Sequence, residues 1–154
     1  MKSQPESGIY PVVRRYADAW AANDLRAIVD CYHDEVVFHY FGRSPLAGTH
    51  RGKAACLAIL KQVREKTNRK LVTVRDVLAG EHFGLIVAVE RFERNGVSVE
   101  IERLLRYGVR DGKLAECWVY DEDQRLVDEH LASSAMRHSD LSQSKLQGDT
   151  RCIS

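Results

Sequence analysis

The residues with the clearest chemical potential in this chain are one imidazole and two carboxylates. His39 sits within Val36-Val37-Phe38-His39-Tyr40-Phe41-Gly42, a short and very apolar run stopped by a glycine. Such a run reads as a strand headed for the core. An imidazole there either finds a buried partner or faces a cavity, and its ordinary pKa of ~6.5 suits it to accept a proton near neutral pH.

The two carboxylates emerge from strand pairing. Asn95-Gly96 and Asp111-Gly112 are strong hairpin signals, because type I′ turns need positive φ at both central residues. Two-residue loops would fix the register, placing Arg91 opposite Glu100, Val89 opposite Glu102, Leu104 opposite Val119 and Glu102 opposite Asp121. Like charges directly opposite repel, and burial also opposes ionisation, so one carboxyl would be held protonated. A protonated carboxyl can donate a hydrogen bond to a developing oxyanion. In the alternative reading Asp121 caps the last helix and Glu102 pairs with Arg103 or Arg106.

The same register sorts the strands into two faces. Leu85, Val87, Val89, Glu102, Leu104, Arg106, Cys117, Val119 and Asp121 share one. Ile86, Ala88, Phe92, Val99, Ile101, Arg103, Leu105, Tyr107, Trp118 and Tyr120 share the other. Both carry large apolar residues. The second, with Phe92, Val99, Ile101, Leu105, Trp118 and Tyr120, is therefore expected to pair two subunits as a homodimer.

These groups must be positioned by the rest of the chain. Ile9, Val12, Val13, Tyr16, Ala17 and Trp20 follow the spacing of one helical face. Asn23-Asp24 interrupts and can cap a second helix with Leu25, Ile28, Val29 and Tyr32 on its face. The strand 36–41 and a turn-rich loop, 42–48, precede a third helix at about 51–67. Strands are expected at 70–79, 83–94, 97–109 and 113–121, then a short helix at 124–132 capped by Asp121 with Gln124 or by Asp123. Three helices with an inserted strand, then an antiparallel meander, make an α+β domain. Residues 1–8 read as a flexible lead-in, 9–132 as the domain, and the serine-rich 133–154 as a disordered tail.

Bulk properties narrow the partners. A chain of 154 residues with 44% hydrophobic and 29% charged residues is ordinary for one globular domain. A formal net charge of +1 gives no electrostatic reason to expect nucleic acid or an anionic membrane. No apolar run approaches the ~20 residues of a membrane span, and the N-terminus lacks a signal-peptide core, so a cytoplasmic location is expected. Cys31, Cys56, Cys117 and Cys152 are scattered, and His33, His50, His82 and His130 fall at expected exposed or loop positions without metal-ligand spacing. Neither metal nor cofactor is expected.

Several stretches carry a family resemblance. Val12-Val13-Arg14-Arg15-Tyr16, Asn23-Asp24-Leu25 and the strand ending His39-Tyr40-Phe41-Gly42 resemble the first third of ketosteroid isomerases. The segment 42–52 and the run Glu116-Cys117-Trp118-Val119-Tyr120-Asp121-Glu122-Asp123-Gln124, with Val127-Asp128-Glu129, resemble bacterial SnoaL-like proteins. Both groups belong to the superfamily named after nuclear transport factor 2, and the resemblance spans about residues 9–132. It implies a cone: a curved antiparallel sheet wrapped around the helices, with an apolar pocket inside. It also implies that Tyr16 takes the position of an oxyanion-hole tyrosine and Glu102 falls near a second, protonated donor. Asp121 matches the acid/base aspartate of SnoaL-type cyclases. His39 falls on the position of the isomerases' base if one residue is deleted in the preceding turn, and Tyr40 falls there without the gap.

The expected function is then cofactor-independent acid/base chemistry on a small apolar carbonyl or polyketide-like substrate, of isomerase, cyclase or dehydratase type, with epoxide hydrolysis also open. His39 would be the base, facing Tyr16, Glu102 and Asp121 across a pocket walled by Trp20, Tyr40, Val89, Leu104 and Val119. The alternative is a binding module with the same pocket and no chemistry, since this fold hosts both.

Overall fold

The computed structural model describes residues 8–132. Helix α1 (Ile9–Ala21) buries Val12, Val13, Tyr16 and Ala17, the stripe that the spacing predicts. Asn23, at φ 53°, turns the chain, and Asp24 caps α2 (Leu25–Cys31) by accepting from the Ala27 amide at 3.1 Å. Strand β1 (Tyr32–Tyr40) begins four residues earlier than its apolar run suggests. Strand β2 (Gly48–Arg51), which the sequence reading did not anticipate, pairs with it between the expected loop and the third helix. Helix α3 (Lys53–Thr67) ends on Asn68 in the left-handed conformation. Strands β3 (Lys70–Ala79), β4 (Gly84–Arg94), β5 (Val97–Arg110) and β6 (Lys113–Asp121) form the meander. Helix α4 (Gln124–Leu131) is capped by Asp123, which accepts from the Leu126 amide at 3.1 Å.

The fold is α+β, with a six-stranded curved sheet in the order β2-β1-β6-β5-β4-β3 and helices against its inner face. It is mixed rather than wholly antiparallel, because β1 runs parallel to β6. That pairing carries the chain's first strand to the far end of the meander and places Tyr40 beside Val119 and His39 beside Trp118.

Two glycines permit close approaches. A Cβ on Gly84 would lie 2.4 Å from Val13 Cγ2, so α1 rests directly on the β4 backbone. At Gly42, with φ +99°, a Cβ would meet Asp128 Oδ1 at 2.2 Å. Asp128 accepts from the Arg43 amide at 2.9 Å and from Gln124 Nε2 at 3.1 Å, which ties α4 to the end of β1.

The first hairpin has the predicted register, with Val89 opposite Glu102 and Arg91 opposite Glu100. The second starts as predicted, Arg110 opposite Lys113, and then slips. Val109 faces Leu114 while Gly108 faces Glu116, so Ala115 is an extra residue in β6. Beyond this bulge every side chain of β6 joins the opposite face from the one expected. Asp121 therefore faces Arg103, and Trp118 faces Arg106.

The faces are also inverted. Ile86, Ala88, Phe92, Ile101, Leu105 and Tyr107 are core residues under the helices, with Cys117 and Val119 from β6. The face bearing Leu85, Val87, Val89, Leu104 and Arg106 lies outside, with Trp118 and Tyr120. The row expected to pair subunits is thus split: Phe92, Ile101 and Leu105 point inward, Trp118 and Tyr120 outward. Both charge and burial gave too little to choose the inner face, since each face is largely apolar. The expected tail, 133–154, and most of the lead-in lie outside the described residues.

Candidate functional site

A small cavity of about 30 Å³, room for one or two water molecules, lies between the inner face of the sheet and helices α1 and α3. Helix α1 contributes Tyr16 and Trp20, one turn apart, and β1 contributes Tyr32, Phe38 and Tyr40 by strand alternation. Leu105, Cys117 and Val119 line the sheet side and Leu60 the α3 side. Arg69, Glu90 and Arg103 complete the wall.

Four tyrosines give this space its polarity. The Tyr16 and Tyr32 hydroxyls share a hydrogen bond of 2.7 Å, with Tyr107 packed on Tyr16 at 5.6 Å between ring centroids. The Tyr107 hydroxyl in turn adjoins that of Tyr16, and the Cys117 thiol adjoins Tyr107, so the polar cluster runs on beyond the pair. Burial pushes all of Tyr16, Tyr32, Tyr40 and Tyr107 above the usual tyrosine range, so each stays protonated. Arg69 acts in the other direction on Tyr16 and Tyr40.

Beside them runs a row of alternating charges. Arg103 donates from Nε to Asp121 Oδ1 at 2.5 Å and from Nη2 to Oδ2 at 3.2 Å. Its Nη1 donates to Glu90 Oε2 at 2.8 Å. Arg69 Nε lies 3.3 Å from the other Glu90 oxygen, Oε1, which makes no hydrogen bond. The Arg103, Glu90 and Asp121 side chains are all at most 2% exposed. Phe92 packs on the Arg103 guanidinium at 5.2 Å. The four charges cancel, which is what permits burial.

Of the residues expected to meet at a site, Tyr16, Trp20, Tyr40 and Val119 line the cavity together. His39 does not. It points to the outer face, with Nε2 2.5 Å from Glu116 Oε2, Nδ1 3.2 Å from Thr49 Oγ1, and its ring stacked on Trp118 at 5.2 Å. Strand alternation is the reason: Phe38 and Tyr40 turn inward, so His39 between them turns outward. Glu102 is also outside, 2.9 Å from Arg75 Nε, and lies across the sheet from Asp121 rather than beside it. Asp121 is inside, but Arg103 occupies both its oxygens. Val89 and Leu104 sit on the outer face and do not wall the cavity. His130, expected to be exposed, is 2% exposed in α4, bonded through Nδ1 to the Leu126 carbonyl.

Sequence reasoning missed Arg69, Glu90, Arg103, Tyr32 and Tyr107 as site residues. A signal existed for two of them. Glu90 interrupts the inward series Ile86, Ala88, Phe92, and Arg103 interrupts Ile101, Leu105, Tyr107. Charges of opposite sign breaking two apolar series on neighbouring strands mark a buried ion pair.

The outer face has its own composition. The Arg106 guanidinium lies 3.9 Å from the Trp118 ring centroid and 4.7 Å from that of Phe83. Phe41 stacks on Tyr120 at 5.2 Å, and both rings are exposed. Among the described residues, no cluster of three or more His, Cys, Asp or Glu could hold a metal ion, and no helix is long and apolar enough to cross a membrane.

This arrangement of helices, curved sheet and interior cavity agrees with the sequence comparisons. The chain belongs to the SnoaL-like domain family, whose profile matches residues 13–117. No curated protein matches the sequence. Among solved structures, a Xanthomonas campestris protein of unknown function with a cystatin-like fold is 22% identical, covering 80% of this chain and 97% of its own at a TM-score of 0.74. A nuclear-transport-factor-2-like protein from Burkholderia xenovorans is 23% identical, covering 79% and 93% at 0.64. A candidate polyketide cyclase from Sinorhizobium meliloti is 18% identical, covering 71% and 94% at 0.57. At these identities the likeness establishes the fold.

Proposed function

We propose that the protein binds a compact, mostly apolar molecule in the interior cavity and holds it by an oxygen atom. The observation that carries this reading is the Tyr16–Tyr32 hydroxyl pair, buried among aromatic rings in the cavity wall. A ligand carbonyl is the natural acceptor, and the apolar walls strengthen the bond by excluding water. The cavity is tight, so such a ligand displaces half-buried Trp20 or Leu60 as it enters. The polyketide-cyclase neighbour is consistent with this ligand chemistry.

Binding is favoured over catalysis because the expected proton-transfer groups do not face the ligand. His39 and Glu102 are on the other side of the sheet, and both Asp121 oxygens are engaged. An acid/base enzyme remains the second reading on one observation: Glu90 Oε1 is a buried carboxylate oxygen in the cavity wall without a hydrogen bond. Tyr16 would then stabilise an enolate while Glu90 took the proton.

Calorimetric titration with cyclohexanone, with product analysis of the same samples, tests both. Tyr16→Phe should weaken binding about fivefold to tenfold, the worth of one hydrogen bond, and His39→Ala should leave it unchanged. Unaltered affinity in Tyr16→Phe would contradict the reading.

The homodimer is likewise a proposal, now through the outer face that bears Phe41, Leu104, Trp118 and Tyr120. Exposed rings in a row are the support for it.

A further inference from the structure

Glu90 Oε1 and Arg69 form an incomplete polar pair in the cavity wall. Oε1 is buried and makes no hydrogen bond, although Arg69 Nε is 3.3 Å away, because the N–H is not aligned with it. Among the described residues, no hydrogen bond reaches the terminal nitrogens of Arg69, whose side chain is 17% exposed. The wall therefore offers one unfilled acceptor next to unfilled donors. Water can serve both when no ligand is bound, and a molecule that displaces the water must reproduce its hydrogen bonds.

Ligand classes differ in how well they do so. A plain ketone accepts from Arg69 and leaves Glu90 Oε1 orphaned. A carboxylic acid, once ionised, brings a second negative charge against Glu90. A molecule with a hydroxyl on the carbon next to its carbonyl satisfies both: the hydroxyl donates to Glu90 Oε1, and the carbonyl oxygen, with one lone pair toward the tyrosine hydroxyls, accepts from Arg69 with the other. Charge-assisted bonds of this kind are the strong ones.

We propose that the ligand of this cavity is an α-hydroxy ketone or the equivalent enol, selected by Glu90 and Arg69 acting together. This rests on the reading of the cavity as a carbonyl-binding site and adds a requirement for the adjacent hydroxyl. Glu90 is suited to the role because Arg103 anchors its other oxygen at 2.8 Å and fixes the carboxylate plane.

The test is a calorimetric series with the unaltered protein: cyclohexanone, α-hydroxycyclohexanone and α-methoxycyclohexanone. The hydroxy compound should bind about tenfold to a hundredfold tighter than the other two, the worth of a hydrogen bond to a charged group. Glu90→Gln should reduce that preference to about twofold or less, and Arg69→Met should weaken all three compounds alike, while the fold, checked by circular dichroism, is kept. Equal affinity of all three compounds would overturn the selection by Glu90 and leave the carbonyl site standing. Binding of none would overturn both.

Discussion

Arg103 grips Asp121 through two hydrogen bonds, at the position where unbulged pairing would have set Glu102. One extra residue, Ala115, thus exchanges a carboxylate pair for an ion pair and decides which side of the sheet each group serves. It converts the expected acid/base centre into a structural bridge: β4, β5 and β6 are joined by Glu90, Arg103 and Asp121 inside the core.

Breaking that bridge should be costly. Arg103→Met leaves Glu90 and Asp121 buried with Arg69 as the remaining cation. Removing one partner of a buried ionic network costs about 3–5 kcal/mol. Urea unfolding monitored by circular dichroism measures the loss, and a value below about 1 kcal/mol would show that the two carboxylates find water instead.

Alkaline pH should destabilise the protein from an unusually early point. Burial raises the Cys56 thiol to about 11 and the Cys117 thiol to about 12, from an ordinary 9.0. Tyr16, Tyr32, Tyr40 and Tyr107 are raised in the same direction from 10.0. In the unfolded chain these groups release their protons at the ordinary values, while the folded chain retains them. The folded state then binds more protons, and stability falls as pH rises from about 9 upward. Below that pH these groups make no difference. Thermal melts between about pH 7 and pH 11 check the sign, and Tyr107→Phe should flatten the decline above pH 10.

The outer face should hold two copies together. Phe41 and Tyr120 are exposed, Leu104 is 36% exposed, and Arg106 is framed by Trp118 and Phe83. Leu104→Glu and Tyr120→Glu place a charge in the middle of that face without touching the cavity. Sedimentation at micromolar concentration should show a dimer for the unaltered chain and a monomer for each variant. A monomer before substitution would contradict the assignment.

Much of the fold was legible. Helical periodicity located Tyr16 and Trp20 on the buried stripe, Asp24 and Asp123 act as caps, and both two-residue turns form where Asn95-Gly96 and Asp111-Gly112 stand. The site was legible only in part. Nothing in the local sequence Leu114-Ala115-Glu116 announces a bulge, so register arithmetic carried a one-residue error that inverted β6. The alternation of Phe38, His39 and Tyr40 did fix that His39 and Tyr40 oppose each other. Which of them faces inward depended on the parallel pairing of β1 with β6, a contact between segments some 80 residues apart in the chain. The outward partner Glu116 could not be paired with His39 for the same reason.

The most direct test of the central claim is the location of a bound carbonyl compound. Aromatic proton–carbon correlation spectra recorded during titration with cyclohexanone report every tyrosine, phenylalanine and tryptophan ring at once. The cavity assignment predicts shifts at Tyr16, Trp20, Tyr40 and Tyr107, with Trp118, Tyr120, Phe41 and Phe83 unmoved. Shifts confined to the outer rings, or none at saturating ketone, would contradict it.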